Sequence, residues 1–444
     1  MKRLGLILLY GLVLLALPRT AFAAGPPNVL VIVTDDQRVG TLSVMPRTRR
    51  LFDDQGREFT SGYVTTPLCC PSRASIFTGL YAHNHGLRNN GISGLAQETT
   101  VQRYLSEAGY RTAMIGKFLN SWKASRNPPY FHRWAVTSGN TTYYNTLFNV
   151  DGSLVQSPGY TTNFMTRKAV SFLRSFEQDD AQPWFMYVAT RAPHAPADPA
   201  REYASASVPP WSLNPAVLEV DRSDKPGWVR RTNTSRDWLR GFRADQLRTL
   251  MSVDDLVDRV FDELQTLGER RQTLAVFVSD NGYMWGEHGV VSKRYPYTHS
   301  IKIPFFMRWP GVISAGSEDR RFATNVDIAP TILAAAGVVP AMPMDGRSLL
   351  DGWERPHLFT EYWRDIHYTE IPGWESIRTR RLHYIRYYND DRSKVIYREY
   401  YRLRNDPWEL RNLLADGVAT NNPDTAWLNR LIRRYRACVG ETCP

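Results

Sequence analysis

The sequence predicts an α/β fold, with a large mixed, mostly parallel sheet sandwiched by helices and a small C-terminal antiparallel-sheet subdomain. Short apolar runs of strand length alternate with helical patterns over the first three quarters of the chain, which is typical of such a sheet. Beyond residue 356 the composition becomes aromatic and basic, with strand-like propensity. With 444 residues, 43% of them hydrophobic, the chain can bury a large core.

Each strand predicted for the large sheet is a short apolar run with polar residues directly after it. The four clearest runs cover residues 29–33, 113–115, 184–188 and 274–278. A buried parallel strand is apolar throughout because helices cover both of its faces. Ligands bind beyond the carboxyl ends of such strands. The polar residues that we expect at this edge are Asp35, Asp36, Lys117, His194, Asp280 and Asn281.

Helical patterns separate these strands. Apolar residues recur at helical spacing over residues 101–108 and 247–264, and a helix over residues 325–336 ends at Gly337. Residues 194–240 are rich in Pro, Ser, Trp and Arg without clear periodicity. They predict a long loop, which would shape the entrance to a site.

The C-terminal part predicts an antiparallel sheet and a closing helix. Residues 382–388 and 395–403 have strand-like composition, and Asn389-Asp390 supplies a turn between them. A helix is expected around residues 427–435. The predicted organisation is a signal peptide at residues 1–23, a large site-bearing domain at 24–355 and a C-terminal subdomain at 356–444.

Residues 1–23 have the features of a secretory signal peptide. They begin Met1-Lys2-Arg3, continue as an apolar run over residues 4–17 and end in Ala21-Phe22-Ala23, a typical cleavage pattern. The run is shorter than the ~20 residues that a membrane span needs, so we expect no membrane anchor after cleavage. The predicted location is secreted or periplasmic, or lysosomal if the source is eukaryotic.

The net charge of +11 favours an acidic partner. Nucleic acid is not expected, because the sequence has no helix-turn-helix, zinc-finger or RNP pattern. A sulfated or phosphorylated substrate fits this charge better.

The most informative stretch is Cys69-Cys70-Pro71-Ser72-Arg73, which runs on to Thr78-Gly79. Pro71 suits a first helical turn and Gly79 suits a helix end. A group at position 69 would then face unpaired backbone N–H groups, with Arg73 one turn along, in a site suited to a tetrahedral anion. A plain thiolate nucleophile, a structural cysteine pair and a redox site remain open from these residues alone.

The same stretch resembles the sulfatase family of the alkaline phosphatase superfamily. In that family a formylglycine-generating enzyme oxidises the cysteine of C-x-P-S-R to formylglycine. Only Cys69 has proline two residues on and arginine four residues on, so the resemblance implies that Cys69 is modified and Cys70 stays a free thiol. Cys438 and Cys443 are spaced to close a small disulfide loop.

Two pairs of residues with side-chain oxygens predict a metal site. Asp35-Asp36 and Asp280-Asn281 offer hard oxygen ligands, which Ca²⁺ and Mg²⁺ prefer, although either pair alone is typical of a turn. The resemblance implies that one Ca²⁺ per chain binds these residues and an oxygen of the formylglycine derived from Cys69.

The resemblance also implies the reaction. A hydroxyl of hydrated formylglycine attacks sulfur to give a formylglycine-sulfate intermediate, and its second hydroxyl then expels sulfate. Arg73 and Lys117 resemble the sulfate clamps of the family, and His194 in A-P-H-A-P resembles the histidine that protonates the leaving group. Lys293, after G-E-H-G, resembles the second lysine.

One segment departs from the common pattern. Many sulfatases read G-K-W-H where this chain has Gly116-Lys117-Phe118-Leu119-Asn120, so the base that regenerates the aldehyde is open, with His85 as a candidate. G-K-F-L-N, the doubled cysteine and the H-N-H run look more like N-acetylglucosamine-6-sulfatases and heparan endosulfatases than like arylsulfatases.

The expected function is therefore removal of sulfate from a sulfated sugar or glycosaminoglycan. One alternative is a phosphonate or phosphate ester hydrolase of the same superfamily. Another is a non-catalytic binder of sulfated polysaccharide, which would apply if Cys69 is never oxidised.

Overall fold

The computed structural model describes residues 25–444, except for residues 93, 140, 180, 366 and 367. The signal peptide predicted at residues 1–23 lies outside the described residues. Within the described part, no helix combines the length and the apolar character needed to span a bilayer.

Twelve strands lie within residues 28–324 of the described chain. They are β1 (Asn28–Thr34), β2 (Arg57–Tyr63), β3 (Arg111–Lys117), β4 (Arg133–Thr137), β5 (Leu147–Val150), β6 (Ser153–Gln156), β7 (Trp184–Ala189), β8 (Thr273–Ser279), β9 (Met284–Trp285), β10 (Val291–Ser292), β11 (Phe305–Arg308) and β12 (Ser317–Thr324).

Ten of these strands build one mixed sheet, as the sequence predicts. Its order is β12-β2-β11-β8-β1-β7-β3-β4-β5-β6, and β9 and β10 form a separate ribbon. The neighbours from β8 to β4 run parallel, as do β2 and β12. β11, β5 and β6 pair antiparallel with their neighbours. Each of the four predicted strands is present and extends one or two residues beyond at least one end of its apolar run.

Strand β1 shows why the predicted runs are continuously apolar. Val29, Val31 and Val33 lie in the core on one face of the sheet, and Leu30 and Ile32 lie in the core on the other. Alternate side chains of a strand point to opposite faces, so the middle of a strand that is covered on both sides is apolar throughout. Polar side chains occur only at the two ends of β1, and those that follow Thr34 lie at the site.

The helices lie on both faces of the sheet and around the smaller sheet. They are α1 (Pro46–Phe52), α2 (Cys69–Thr78), α3 (Ala82–His85), α4 (Val101–Glu107), α5 (Thr161–Phe176), α6 (Gly227–Arg230), α7 (Arg236–Thr266), α8 (Thr298–Ile301), α9 (Ile328–Ala336) and α10 (Ala426–Ala437).

The predicted end of the long loop at residues 194–240 is wrong. Helix α7 begins at Arg236 and runs for 31 residues. Ser235 caps this helix by accepting a hydrogen bond from the backbone N–H of Trp238. The first turns are largely exposed, so they carry no apolar stripe and give no periodic signal in the sequence. Short helices also interrupt the loop, at Arg201–Tyr203 and at α6.

The predicted antiparallel sheet is present at the C-terminus. Its four strands follow in sequence order, and α10 packs against it through Leu428, Ile432 and Tyr435. The predicted Cys438–Cys443 disulfide is formed. The proposed boundary at residues 355–356 falls between β12 and the first strand of this sheet. The strands are β13 (Leu358–Tyr362), β14 (Trp374–Arg378), β15 (His383–Tyr388) and β16 (Val395–Tyr401).

Candidate functional site

Helix α2 places Cys69 at its buried N-terminus. All ten of its residues are buried. Gly79 ends the helix in the left-handed conformation, with φ of 68°, and its N–H donates to the Ser75 carbonyl. A side chain other than glycine is strained at such a φ, which explains the glycine after Thr78. The helix therefore presents position 69, at the positive end of its dipole, to the interior of the site.

The two aspartates directly follow β1 and turn sharply into the site. Asp36 has a φ of 71°, a conformation that aspartate tolerates better than most residues. Its N–H donates to Asp280 Oδ1 at 3.2 Å, and the Asp35 N–H donates to the Ala192 carbonyl at 3.1 Å. These backbone contacts join the ends of β1, β7 and β8, so three strands that are far apart in the sequence meet at one point.

Two buried lysines neutralise these carboxylates. Lys117 donates to Asp35 Oδ2, and Lys293 donates to Asp36 Oδ1. Lys293 Nζ also lies 2.7 Å from Cys69 Sγ. Burial alone would raise the pKa of Asp35, but Lys117, His194 and Lys293 hold that pKa well below its usual value. Burial likewise opposes the charge of Lys293, yet Asp36, Cys69 and Asp35 raise its pKa. The Asp35 carboxylate and the Lys293 ammonium group are therefore both charged at neutral pH.

Arg73 connects the helix to β8. Its Nε donates to Asp280 Oδ2 at 2.8 Å, and its Nη1 donates to the Lys117 carbonyl at 2.6 Å. Its Nη2 is 3.5 Å from Asp35 Oδ2 and has no hydrogen-bond partner among the described residues, although it is buried. Burial and the nearby Asp35 raise the pKa of Asp280. A buried guanidinium with an unused N–H has capacity to bind a further oxygen.

His194 is the most exposed of the predicted site residues, with a side chain 29% exposed. Its Nδ1 is 2.6 Å from the Ala195 carbonyl, and its Nε2 is 3.8 Å from Asp36 Oδ2. Because Nδ1 donates to that carbonyl, Nε2 faces the site. Burial lowers the pKa of His194, and the charges of Asp36 and Asp35 offset part of this decrease. The imidazole therefore lies where the site opens to solvent.

The structure brings together four groups with ligand atoms within 4.8 Å of one another, Asp35, Asp36, Cys69 and His194. Asn281 donates through Nδ2 to Asp36 Oδ1 at 2.7 Å, while its Oδ1 is buried without a hydrogen-bond partner. An unpaired buried oxygen beside two carboxylates fits a divalent cation. Asp280 is outside this group and binds Arg73. The thiol and imidazole would suit zinc, whereas an oxygen at position 69 would suit calcium.

The two adjacent thiols have different surroundings. Burial and Asp35 raise the pKa of Cys69 to about 12, so its thiol is protonated near neutral pH. Burial raises the pKa of Cys70 to about 11. The Cys70 N–H donates to Asn90 Oδ1 at 3.1 Å, and its Sγ donates to the Gly91 carbonyl at 3.5 Å. Cys70 therefore faces the 89–91 segment, while Cys69 faces the acidic pair. A plain thiolate nucleophile is disfavoured at both positions.

His85 is the last residue of α3 and contacts α2 well beyond Cys69. Its Nε2 is 3.2 Å from Ser75 Oγ, and its Nδ1 accepts from the Leu87 N–H at 3.1 Å. Ser75 is six residues beyond Cys69, which corresponds to about 9 Å of helix. Burial lowers the pKa of His85 to about 3. Its role as the aldehyde-regenerating base stays a prediction, and these contacts give no support for it.

Sequence reasoning missed two residues that shape the site. Tyr143 donates through its hydroxyl to the His194 carbonyl at 2.7 Å and so supports the histidine loop. Gln246, on α7, donates to the Pro193 carbonyl at 3.0 Å. Neither lies in a recognisable motif, and each acts through a contact between segments that are distant in sequence.

Comparison with known proteins gives consistent results. Residues 27–338 match the family model described as Sulfatase, and residues 286–432 match the model described as N-sulphoglucosamine sulphohydrolase, C-terminal. The putative extracellular sulfatase Sulf-1 homolog of Caenorhabditis elegans is 36% identical, over 81% of this chain and 55% of that protein. Human N-acetylglucosamine-6-sulfatase is 32% identical, over 73% of this chain and 64% of the enzyme. The chain spans about one to two thirds of the length of these two relatives and of the extracellular sulfatase SULF-1 homolog of Drosophila melanogaster.

Solved structures share the fold. The structure of BT4656 in complex with its substrate D-glucosamine-2-N,6-O-disulfate superposes with a TM-score of 0.81 and 25% identity, over 93% of this chain and 97% of that chain. The phosphonate monoester hydrolase of Agrobacterium radiobacter superposes with a TM-score of 0.69 and 22% identity, over 92% and 95% of the two chains. At 22% identity, the similarity to the phosphonate monoester hydrolase shows a shared fold only.

Proposed function

This chain belongs to the sulfatase family, and we propose that it hydrolyses a sulfate ester of an amino sugar, such as a unit of a glycosaminoglycan. The observation that carries the proposal is the convergence of cationic groups on position 69. Lys293 Nζ lies 2.7 Å from Cys69 Sγ, and Arg73 and Lys117 both contact the adjacent Asp35. Cations around a nucleophile at a helix N-terminus are suited to an anionic, tetrahedral reacting group.

The side chains of this chain would bind and orient the sulfate. Arg73 has an unused N–H, and Lys117 and Lys293 carry further donors, so the three can share the sulfuryl oxygens. Charge grows on those oxygens during the reaction, and preorganised cations in a buried site stabilise it. Their positions are fixed beforehand by Asp35, Asp36 and Asp280, so little reorganisation accompanies the reaction.

The nucleophile and the metal follow from the same residues. Formylglycine at position 69 would supply a hydroxyl for attack, and Ca²⁺ held by Asp35, Asp36 and Asn281 would make that hydroxyl more acidic. Asp280 would hold Arg73 in place from the edge of the metal site. Because Cys69 is buried within α2, the formylglycine-generating enzyme would have to reach it before folding is complete.

The substrate class rests on the relatives. Those named above include an extracellular sulfatase homologue and an N-acetylglucosamine-6-sulfatase, and one solved structure holds a sulfated glucosamine. The leader at residues 1–23 supports export to the cell exterior or the periplasm, where sulfated polysaccharides are available. We therefore propose a 6-O-sulfated glucosamine as the preferred substrate.

A comparison of three substrates tests this function. We expect the matured protein to release sulfate from N-acetylglucosamine 6-sulfate with a kcat/KM at least about ten-fold above that for a phosphodiester of similar size, a difference of ~1.4 kcal/mol in transition-state binding. An aryl sulfate serves as the control for intrinsic reactivity. Preference for the phosphodiester would instead support the phosphonate or phosphate ester hydrolase, and binding of all sulfated sugars without turnover would support the non-catalytic binder.

The contribution of His194 to the rate of hydrolysis should depend on the leaving group of the sulfate ester. A sugar alkoxide needs a proton as it departs, whereas a nitrophenolate does not. An anionic ester beside Nε2 would raise the low pKa of this imidazole and favour its acidic form. We expect His194→Ala to lower kcat for a sugar sulfate by about 10²- to 10³-fold and kcat for 4-nitrophenyl sulfate by less than about ten-fold. Equal losses on both substrates would assign His194 to metal binding, consistent with its place beside Asp36.

A further inference from the structure

We propose that a strip of aromatic side chains leads out of the site and binds the sugar next to the sulfated unit, so that the natural substrate is an oligosaccharide. The strip consists of Tyr283, Phe242 and Trp238. This inference rests on the function proposed above and adds a second sugar subsite to it.

The inner end of the strip belongs to the site. Tyr283 follows Asp280-Asn281-Gly282 directly and is largely buried. Its ring centroid is 5.8 Å from that of Phe242, on α7. One turn further along the helix, Gln246 contacts Pro193, the residue before His194, and accepts from Trp285 Nε1 at 2.6 Å. The side of α7 that carries the strip therefore borders the histidine loop.

The outer end reaches solvent. Trp238 is 55% exposed and stacks on Phe242, with ring centroids 5.1 Å apart and planes 7° from parallel. Residues 238, 242 and 246 are each four positions apart, so they lie on one side of the helix. The distance from 238 to 246 is about 12 Å along the helix axis, longer than a single sugar ring. A flat, exposed indole held parallel to a second ring offers an apolar face at low cost in side-chain entropy.

The charge around the strip matches a sulfated chain. Residues 230–240 contain four arginines and one aspartate, a net charge of +3, and the arginines are exposed. Of these, Arg240 pairs with Asp237 at 3.0 Å. Aromatic faces combined with exposed arginines fit a polyanionic sugar better than an uncharged glycan or an apolar peptide. The structure therefore favours a sulfated oligosaccharide as the occupant of this strip.

Binding measurements on two ligands test the inference. Dissociation constants are measured by calorimetry with Cys69→Ala protein, which prevents turnover, for N-acetylglucosamine 6-sulfate and for a sulfated tetrasaccharide ending in the same unit. Adding Trp238→Ala should weaken the tetrasaccharide about ten-fold and the monosaccharide less than about two-fold. Trp238→Phe should retain most of the tetrasaccharide affinity, because it keeps a flat ring.

Trp427→Ala is the matched control. This tryptophan is also exposed, at 38%, but lies on α10 beside His357. It should change neither dissociation constant. If Trp238→Ala lowers the affinity for both ligands equally, or for neither, the proposed sugar subsite is wrong. The test of the strip is independent of the test of the proposed function. If the proposed function is wrong, the unsubstituted protein releases no sulfate. If the strip is wrong, the dissociation constants show it.

Discussion

Replacement of Cys69 by alanine is expected to abolish sulfate release, whereas Cys70→Ala leaves most of it. Cys69 lies among Asp35, Asp36 and Lys293, while Cys70 faces the Gly91 carbonyl. Loss of a nucleophile lowers kcat by on the order of 10⁴-fold or more. Cys69→Ser should be inactive too, because a serine cannot expel sulfate by collapsing to an aldehyde. Cys70→Ala removes one buried sulfur and should cost about 1 kcal/mol of unfolding free energy.

The control is the mass of the peptide that contains residue 69. Secreted, matured protein should show Cys69 converted to formylglycine and Cys70 unchanged. Each variant should also keep the melting temperature within a few degrees of the unsubstituted protein, which separates loss of chemistry from loss of fold. Equal loss of activity from Cys69→Ala and Cys70→Ala would contradict the assignment of Cys69 as the modified residue, and an unaltered thiol in active protein would exclude formylglycine as the nucleophile.

The sequence was sufficient to predict the centre of the fold, because strands buried on both faces leave a distinct pattern. The apolar runs at β1, β3, β7 and β8 are such strands, and Asp35, Lys117 and Asp280 stand where those strands end. The family resemblance to sulfatases, carried by seven residues around Cys69, is confirmed by the match over residues 27–338.

The parts that sequence could not predict depend on contacts between distant segments. The first turns of α7 give no helical signal, because their side chains face solvent and no core imposes a period on them. Only the structure shows that Asn281 Nδ2 donates to Asp36, which leaves Asn281 Oδ1 without a hydrogen-bond partner. Likewise, the sequence places His194 in a motif but does not show that its Nε2 faces Asp36. Such pairings follow from tertiary structure, which local spacing does not encode.

Removal of divalent cations is expected to inactivate the protein reversibly, with calcium restoring activity better than zinc. Lys117 and Lys293 contact the same carboxylates that a cation would bind, so charge at the site stays partly balanced without metal and the fold should survive chelation. Calcium at about one hundred times its Kd should still add ~2.7 kcal/mol to the unfolding free energy. Sulfate release and the melting temperature should therefore fall together on chelation and recover together with calcium.

Asn281→Ala provides the matched variant for this experiment. It removes the oxygen that has no hydrogen-bond partner and leaves both aspartates in place. We expect it to raise the calcium concentration needed for half-maximal activity by at least about ten-fold. Zinc as the better restoring ion would point instead to Asp35, Asp36, His194 and an unmodified Cys69 thiol as the ligands, since thiolate and imidazole select zinc. The preferred ion thus reports whether position 69 carries oxygen or sulfur, independently of the peptide mass.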